Sequence, residues 1–380
     1  MNQLFDAGKA YRCYCTPEEL DRKRGEAQKK GLKPKYDGTC RERADQPEGI
    51  PSVVRFKAPI EGSVVVEDLL RGKVVFDITE LDDLILQRTD GSPTYNFVVV
   101  VDDADMGITH VVRGDDHLSN TPRQCLLYDA LNFPRPQFAH ISMILGQDKT
   151  RLSKRHGATS VLAYRDMGYL SSAMINYLAR LGWSHGDQEI FSQEEMIQLF
   201  SFDSVNTSAA VFDPDKLSWL NEHYIKNTPP KELALHLEPF LISKGILQED
   251  HGLNVEEIAK VIPSLNQRAK TLAEMAEKST FYFKKEVEFD EKAKAKFLVP
   301  EVRPLLEKAI VGLSQLDSFS AEEIEALFNQ VVKEEGVKLG KLAQPIRVAL
   351  TGATVSPGIY DVILLLGKEE SLKRLNQALP

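Results

Sequence analysis

The hydrophobic pattern changes period once along this chain, near residue 165, and that change constrains the fold more than any other feature. Before it, short β-rich apolar runs are interleaved with helical stretches; after it, apolar residues recur at helical spacing almost to the end. The runs "SVVRFKAP", "GSVVVEDLLRGKVVFDIT" and "LILQRTDGSPTYNFVVVVDDADM" read as β-rich segments broken by Gly and Pro. From 105 to 165 the order is strand "ITHVVRG", helix "TPRQCLLYDALN", strand "FAHISMIL", then the loop "QDKTRLSKRHG". That alternation predicts a parallel sheet with the loop at its C-terminal edge, where open α/β folds bind ligands. Helices such as "SSAMINYLARLGW" and "PKELALHLEPFLISKG" open the second half and "PGIYDVILLLGKEESLKRLNQAL" closes it. A chain of 380 residues is too long for one ordinary domain, and seams are expected near 97, 140, 230 and 280.

The net charge of -9 argues against sequence-blind coating of nucleic acid, which relies on overall phosphate neutralisation. It leaves room for local basic stripes. No apolar run reaches the ~18 residues that a membrane helix requires, and the N-terminus has no cationic segment leading into an apolar one. Four cysteines in a chain this long do not make a disulfide scaffold, so a reduced, cytoplasmic setting is expected.

Three constellations carry chemistry. In "QDKTRLSKRHG", Lys149, Arg151, Lys154 and Arg155 surround Ser153, a set suited to phosphate; a solvated charge run is the competing reading. In "THVVRGDDHLSNTP", a strand ends at Arg113, which could clamp a carboxylate, while Asp116 and His117 could border a nucleotide; an intraloop ion pair with a capping residue is the alternative. The Cys13-x-Cys15 hairpin with Cys40 and Glu42 has the two-corner form of a zinc site, and a knuckle that has lost its metal is the alternative. A basic helix also opens at "CTPEELDRKRGEAQKKG", with Thr16 as N-cap and Pro17 at its first position. It carries Arg22, Lys23, Arg24, Lys29 and Lys30.

At "RLSKRHG", "RGDDHLSNTPRQ" and "LARLGWSHGDQEIF" the chain closely resembles bacterial glutamyl-tRNA synthetases, which are class I aminoacyl-tRNA synthetases. The likeness runs from Met1 to the C-terminus, and "RLSKR" resembles the family's version of the Lys-Met-Ser-Lys-Ser loop. The resemblance implies a multidomain α/β plus all-α fold: part of a class I Rossmann-like catalytic fold, an inserted α/β acceptor-binding domain, and helical anticodon-binding domains. The corresponding expectation is an acceptor-stem domain at 1–97, the second half of the catalytic fold at 98–140, and a stem-contact region with the RLSKR loop at 141–230. Two helical anticodon-binding subdomains follow at 231–280 and 281–380. It also implies a glutamate–tRNA ligase: glutamate and ATP with Mg2+ give glutamyl-adenylate, and the 3′ end of tRNA(Glu) then takes the glutamyl group.

By the same resemblance Lys154 would act on the phosphates with Ser153 and Arg155, and Leu152, Arg151, Asp116 and His117 would border ATP. Tyr95 and Arg113 would line the glutamate pocket, where some members carry a neutral polar side chain at the place of Val99. Arg268 and Arg347 would read the anticodon, with helix-surface ion pairs as their competing roles. A monomer is expected, with zinc as a candidate ligand of Cys13, Cys15, Cys40 and Glu42. One departure stands out. The class I His-Ile-Gly-His signature is not in this sequence, and the expectation is that the first half of the nucleotide fold is missing. The alternative function is therefore a catalytically incomplete tRNA-binding fragment.

Overall fold

The computed structural model describes residues 1–45, 47–153, 155, 157 and 160–380, which form two compact units. The first comprises Met1–Leu152, Ala179–Glu189 and Glu194–Phe212, and the second comprises Ser153–Leu178, Ile190–Gln193 and Asp213–Pro380.

The strands of the first unit are β1 (Ala10–Cys13), β2 (Val53–Phe56), β3 (Ser63–Asp68), β4 (Gly72–Asp77), β5 (Ile85–Gln87), β6 (His110–Gly114) and β7 (Gln137–Ile141). They make an antiparallel sheet ordered β1-β2-β5 and a second sheet ordered β4-β3-β7-β6. In the second, β3 and β4 form an antiparallel hairpin, while β7 runs parallel to both β3 and β6. The expected parallel pairing is present, and the register sets Arg113 beside His140 and Asp68 beside Phe138. The C-terminal ends of three strands thus bring together residues far apart in sequence. One core, including Val54, Phe56, Val64, Val66, Leu127, Tyr128 and Phe138, serves both sheets.

The helices of this unit include α1 (Asn2–Asp6), α2 (Pro17–Lys29), α3 (Tyr95–Asp105) and α4 (Thr121–Leu131). Helix α2 starts as the sequence predicts: Thr16 accepts from the Glu19 N–H and Glu19 accepts from the Thr16 N–H, a reciprocal cap ahead of Pro17. Helix α3 is a correction, because "YNFVVVVDDAD" read as part of a β-rich run. Its four valines favour a strand only where packing supplies one. Phe97 and Val100 are buried, and Val101 and Ala104 join them against the core, which is helical spacing within a β-branched run.

In chain order the later helices are α5 (Val161–Asp166), α6 (Ser171–Gly182), α7 (Gln193–Leu199), α8 (Pro214–Asn227), α9 (Pro230–Ser243), α10 (Val255–Leu265) and α11 (Leu272–Phe283). They continue with α12 (Glu291–Phe297), α13 (Arg303–Gln315), α14 (Ala321–Glu334), α15 (Leu339–Thr351) and α16 (Ile359–Gln377). Two cores hold the second unit. Ile225, Leu233, Leu237, Ile258, Ile262 and Met275 join α8 to α11, whereas Leu306, Phe328, Ile346 and Val362 join α13 to α16. Helix α16 breaks at Gly367, whose φ of 79° and ψ of 167° lie where a side chain would be strained.

Candidate functional site

Arg113 ends a strand in the middle of a charged network. Its Nε donates to His140 Nε2 at 3.2 Å, and its Nη2 donates to Thr121 Oγ1 at 2.9 Å and to Gln124 Oε1 at 2.7 Å. Gln124 in turn donates to Asn96 Oδ1 at 2.9 Å, tying α4 to α3. Among the described residues Nη1 has no hydrogen-bond partner, so one edge of the guanidinium remains available for an anion. Behind it, His140 Nδ1 lies 2.6 Å from Asp68 Oδ2. Burial holds the imidazole below its ordinary range, aided by Arg113 and Arg71 and opposed by Asp68.

Tyr95 opens α3, and its hydroxyl lies 3.3 Å from His117 Nδ1. Val99 sits one turn on, half-buried, and packs against the core. The turn after Arg113 depends on Gly114: a Cβ there would meet Asp116 Oδ1 at 2.6 Å and Met143 Sδ at 3.2 Å. Asp115 pairs with Arg71 Nη2 at 2.7 Å, and Asp116 pairs with Arg151 Nη2 at 3.1 Å. Leu145 and Arg151 form a β-bridge, with the Leu152 N–H on Ile144 O at 2.9 Å, which places the start of the RLSKR segment beside the RGDDH turn. The first unit therefore gathers Tyr95, Arg113, Asp116, His117 and Arg151 at one sheet end. Ser153 and Arg155 belong to the second unit, and Lys154 lies outside the described residues.

The three thiols Cys13, Cys15 and Cys40 lie within 4.8 Å of one another. Cys13 closes β1 and Cys15 directly precedes the N-cap of α2, so the Cys-x-Cys corner joins a strand to a helix rather than turning a hairpin. Burial and the Cys40 contact push the Cys15 thiol up to about 12. Burial opposes ionisation of Cys40 too, yet hydrogen bonds from the Tyr14 backbone, Cys15 and Tyr36 bring it below the ordinary thiol value. Glu42 is not with them. Its carboxylate is 78% exposed and pairs with Lys57 Nζ at 2.9 Å. The oxygen that does reach the thiols is the Tyr36 hydroxyl, 3.4 Å from Cys13 Sγ, 4.0 Å from Cys15 Sγ and accepting the Cys40 N–H at 2.9 Å. A phenol lies outside the Cys, His and carboxylate donors by which zinc sites are read from sequence; the Tyr36-x3-Cys40 spacing is the signal the sequence offers.

Several cations of the basic helix already hold acids. Arg22 pairs with Glu26, Arg24 with Asp21 and Lys23 with Asp37, while Lys29 and Lys30 have no ion-pair partner among the described residues.

In the second unit Arg268 lines a cavity of about 480 Å³ with Phe281, Lys284, Ser356 and Pro357. Arg347 is close by, donating from Nη1 to Pro357 O at 2.8 Å and to Ser356 Oγ. Burial and the like charge of Arg268 lower its pKa. The Arg347 Nε is buried with no hydrogen-bond partner among the described residues. Four complete helices, α11 to α14, separate the two arginines in sequence, yet they share one electrostatic neighbourhood.

Comparisons with known proteins identify the family. The family described as tRNA synthetases class I (E and Q), catalytic domain, matches residues 1–219, and the anticodon binding domain family matches residues 232–379. The chain is 56% identical over 379 residues to a glutamate–tRNA ligase of Geotalea uraniireducens and 55% identical over 378 residues to one of Geobacter sulfurreducens. Each match covers all of this chain and 80% of the relative. Among solved structures, a glutamate tRNA ligase from Elizabethkingia meningosepticum in complex with its amino acid superposes with a TM-score of 0.81 at 32% identity, covering 99% of this chain and 80% of that one. The Elizabethkingia anophelis glutamate-tRNA synthetase gives 0.77 at 32% identity, over all of this chain and 81% of that one.

Proposed function

This chain belongs to the bacterial glutamate–tRNA ligases of class I, and from that premise we propose how its residues divide the work. The activity is ATP-dependent attachment of glutamate to tRNA. A glutamate α-carboxylate oxygen attacks the α-phosphorus of ATP as the bond to pyrophosphate breaks. A ribose hydroxyl at the tRNA 3′ end then attacks the activated carbonyl, and AMP leaves with the bonding pair.

In this division Arg113 takes a carboxylate of glutamate on its open Nη1 edge, and Tyr95 closes the pocket next to it. Asp116, His117, Arg151 and Leu152 border ATP. Lys154, with Ser153 and Arg155, stabilises the charge that develops on the leaving pyrophosphate, so the protein works by electrostatics and positioning with no covalent nucleophile. Mg2+, when bound, supplies neutralisation of the phosphate charge. The observation that carries the reading is the convergence of Arg113, Tyr95, Asp116, His117 and Arg151 at one sheet end, each held by a named partner.

Arg268 and Arg347 would read anticodon bases, the Arg347 Nε without a partner among the described residues and the adjoining cavity being the support. The donor set at Cys13, Cys15, Cys40 and Tyr36 fits a tetrahedral zinc better than one with Glu42, because four donors converge and the carboxylate does not. Zinc, when bound, would tie β1 to the segment preceding β2. The acceptor-stem region at 1–97, the catalytic and stem-contact regions at 98–140 and 141–230, and the helical regions at 231–280 and 281–380 complete the proposed division, in a monomer of the cytoplasm.

A segment outside this chain would carry the His-Ile-Gly-His signature and pair at β6. That strand is an edge of its sheet, and the chain spans 80% of the relatives it matches. The test is glutamate-dependent ATP–pyrophosphate exchange in the presence of tRNA, with this chain alone and with that segment added in trans. Exchange that requires the segment supports the reading. Retained tRNA binding with no exchange in either case would leave a tRNA-binding fragment.

A further inference from the structure

We propose that Asp68 and His140 are positioning residues that hold Arg113 at the angle in which its open edge meets the substrate carboxylate. The inference rests on the reading of Arg113 as a glutamate-pocket residue and adds to it two groups that carry no role in the reaction so far.

The sheet register makes the arrangement available. Asp68 ends β3, His140 sits on β7 and Arg113 on β6, and the three strands are neighbours, with Arg113 directly beside His140. The side chains of Asp68 and His140 are both 0% exposed. The carboxylate is pinned from behind: Oδ1 accepts the Leu70 and Arg71 N–H groups at 2.9 Å each, leaving Oδ2 for His140 Nδ1 at 2.6 Å. A carboxylate at Nδ1 assigns the ring proton to that nitrogen, which turns Nε2 into an acceptor.

That acceptor is used. Arg113 Nε lies 3.2 Å from it and Thr121 Oγ1 lies 3.0 Å from it. Thr121 and Gln124 then accept from Nη2. Nε and Nη2 of the planar guanidinium are thereby held, and Nη1 has no hydrogen-bond partner among the described residues. A planar fork held at Nε cannot rotate about its last bond without breaking these contacts, so the direction of Nη1 is set before substrate arrives. The other charges packed against His140 are those of Arg71, whose Nε donates to the His140 carbonyl at 3.3 Å, and Arg113 itself. Burial of the imidazole in this cationic company favours its neutral form, which the acceptor role requires. A pair of apolar side chains would fill the same space without the desolvation cost of an ionised carboxylate. What they would not supply is a lone pair aimed at Arg113.

The experiment has a spectroscopic arm and a kinetic arm. In the first, the side-chain Nε–H resonances of 15N-labelled chain are recorded, with Arg113 assigned by its loss in Arg113→Lys. The expected result is a slowly exchanging Arg113 Nε–H in the parent, lost to rapid exchange in His140→Leu, recovered in His140→Gln and weakened in Asp68→Asn. In the second arm, the exchange assay described above is run with the segment supplied. His140→Leu is expected to raise the KM for glutamate about tenfold or more while the KM for ATP stays within about twofold, and His140→Gln to recover most of the loss. An Arg113 Nε–H equally protected in His140→Leu overturns the proposal, as do glutamate and ATP KM values that rise together. If His140→Leu fails to fold by circular dichroism, His140→Asn takes its place, keeping a donor toward Asp68 while withdrawing the acceptor from Arg113. An unchanged glutamate KM in Arg113→Lys overturns the assignment of Arg113 itself, whatever its resonance shows.

Discussion

Arg113 in the sheet-bearing unit and Arg374 in the helical unit are both held by dense hydrogen bonding, and they are held differently. Arg374 is 3% exposed; its Nε bonds Glu370 at 2.8 Å, its Nη1 bonds the carbonyls of Phe281 at 2.7 Å and Leu350 at 2.9 Å, and its Nη2 bonds the Lys284 carbonyl at 2.9 Å. Those carbonyls belong to the ends of α11 and α15, where helices leave acceptors unsatisfied. Among the described residues Arg113 hydrogen-bonds side chains only, from β7 and α4, and Nη1 has no hydrogen-bond partner. An arginine that saturates backbone carbonyls ties chain to chain. An arginine gripped at two edges by side chains, with the third edge open, is set up to grip something else.

The largest effect expected is on stability. Arg374→Met should cost about 3–5 kcal/mol, because the carbonyls at two helix ends and Glu370 lose their partner inside the fold. Hydrogen exchange in α11 and α15 would register it, and a cost below about 1 kcal/mol would place Arg374 in the same class as Arg113. Next comes Lys154→Ala, assayed with the segment supplied. It should slow adenylate formation by about a hundredfold to a thousandfold and leave tRNA affinity nearly unaltered. An equal loss in tRNA binding would move Lys154 from the leaving phosphate to the nucleic acid.

The two networks should also respond differently to pH. Folding holds His140 below its ordinary value of 6.5, so the unfolded chain takes up its proton first as the pH falls. The unfolded state then binds more protons, and the sheet-bearing unit loses stability below about pH 6.5 while the pair contributes no slope above it. Asp68 is held below its ordinary 3.8, its burial outweighed by hydrogen bonds from His140, Leu70 and Arg71, so its own contribution persists until the solution is far more acidic. In the Arg374 network, Glu370 is lowered from 4.5 because its bonds to Arg374 and Lys373 overcome burial, so it contributes no slope between pH 5 and 7. Amide exchange in β3 and β7 between pH 7 and 5 reads this slope, and His140→Gln should flatten it. A slope that survives the substitution assigns it to another group. The smallest effect is expected at the surface of α2: Arg22→Ala should change stability by less than about 0.5 kcal/mol, since Arg22 and its partner Glu26 are both exposed. A larger cost would mean that the pair orders α2.

How much of this was legible beforehand follows from the range of the interactions. The change of hydrophobic period gives the sheet and the helical half directly, because each element's burial pattern is local. The cap at Thr16 is legible for the same reason. Helix α3 was not, since a run of valines carries both periods and only the core position of Phe97 and Val100 decides between them. Arg113 was visible as a charge at a strand end. Its supporting pair was not, because Asp68 and His140 are 72 residues apart and meet only through the register of β3, β7 and β6. Tyr36 is not legible as a donor because a phenol rarely binds metal, whereas the spacing of Glu42 from Cys40 points to a carboxylate that the fold turns to Lys57. Arg374 reads in sequence as one more charge on a long terminal helix; only beyond the break at Gly367 is it carried inward.

The measurement that bears most directly on this account is the glutamate and ATP dependence of pyrophosphate exchange for Arg113→Lys against the parent, with tRNA present and the segment bearing the His-Ile-Gly-His signature supplied. A lysine keeps the charge but not the fork held by His140, Thr121 and Gln124. The account predicts a glutamate KM raised about tenfold or more and an ATP KM within about twofold of the parent. A glutamate KM that does not move would mean that Arg113 is, like Arg374, a fixture of the fold.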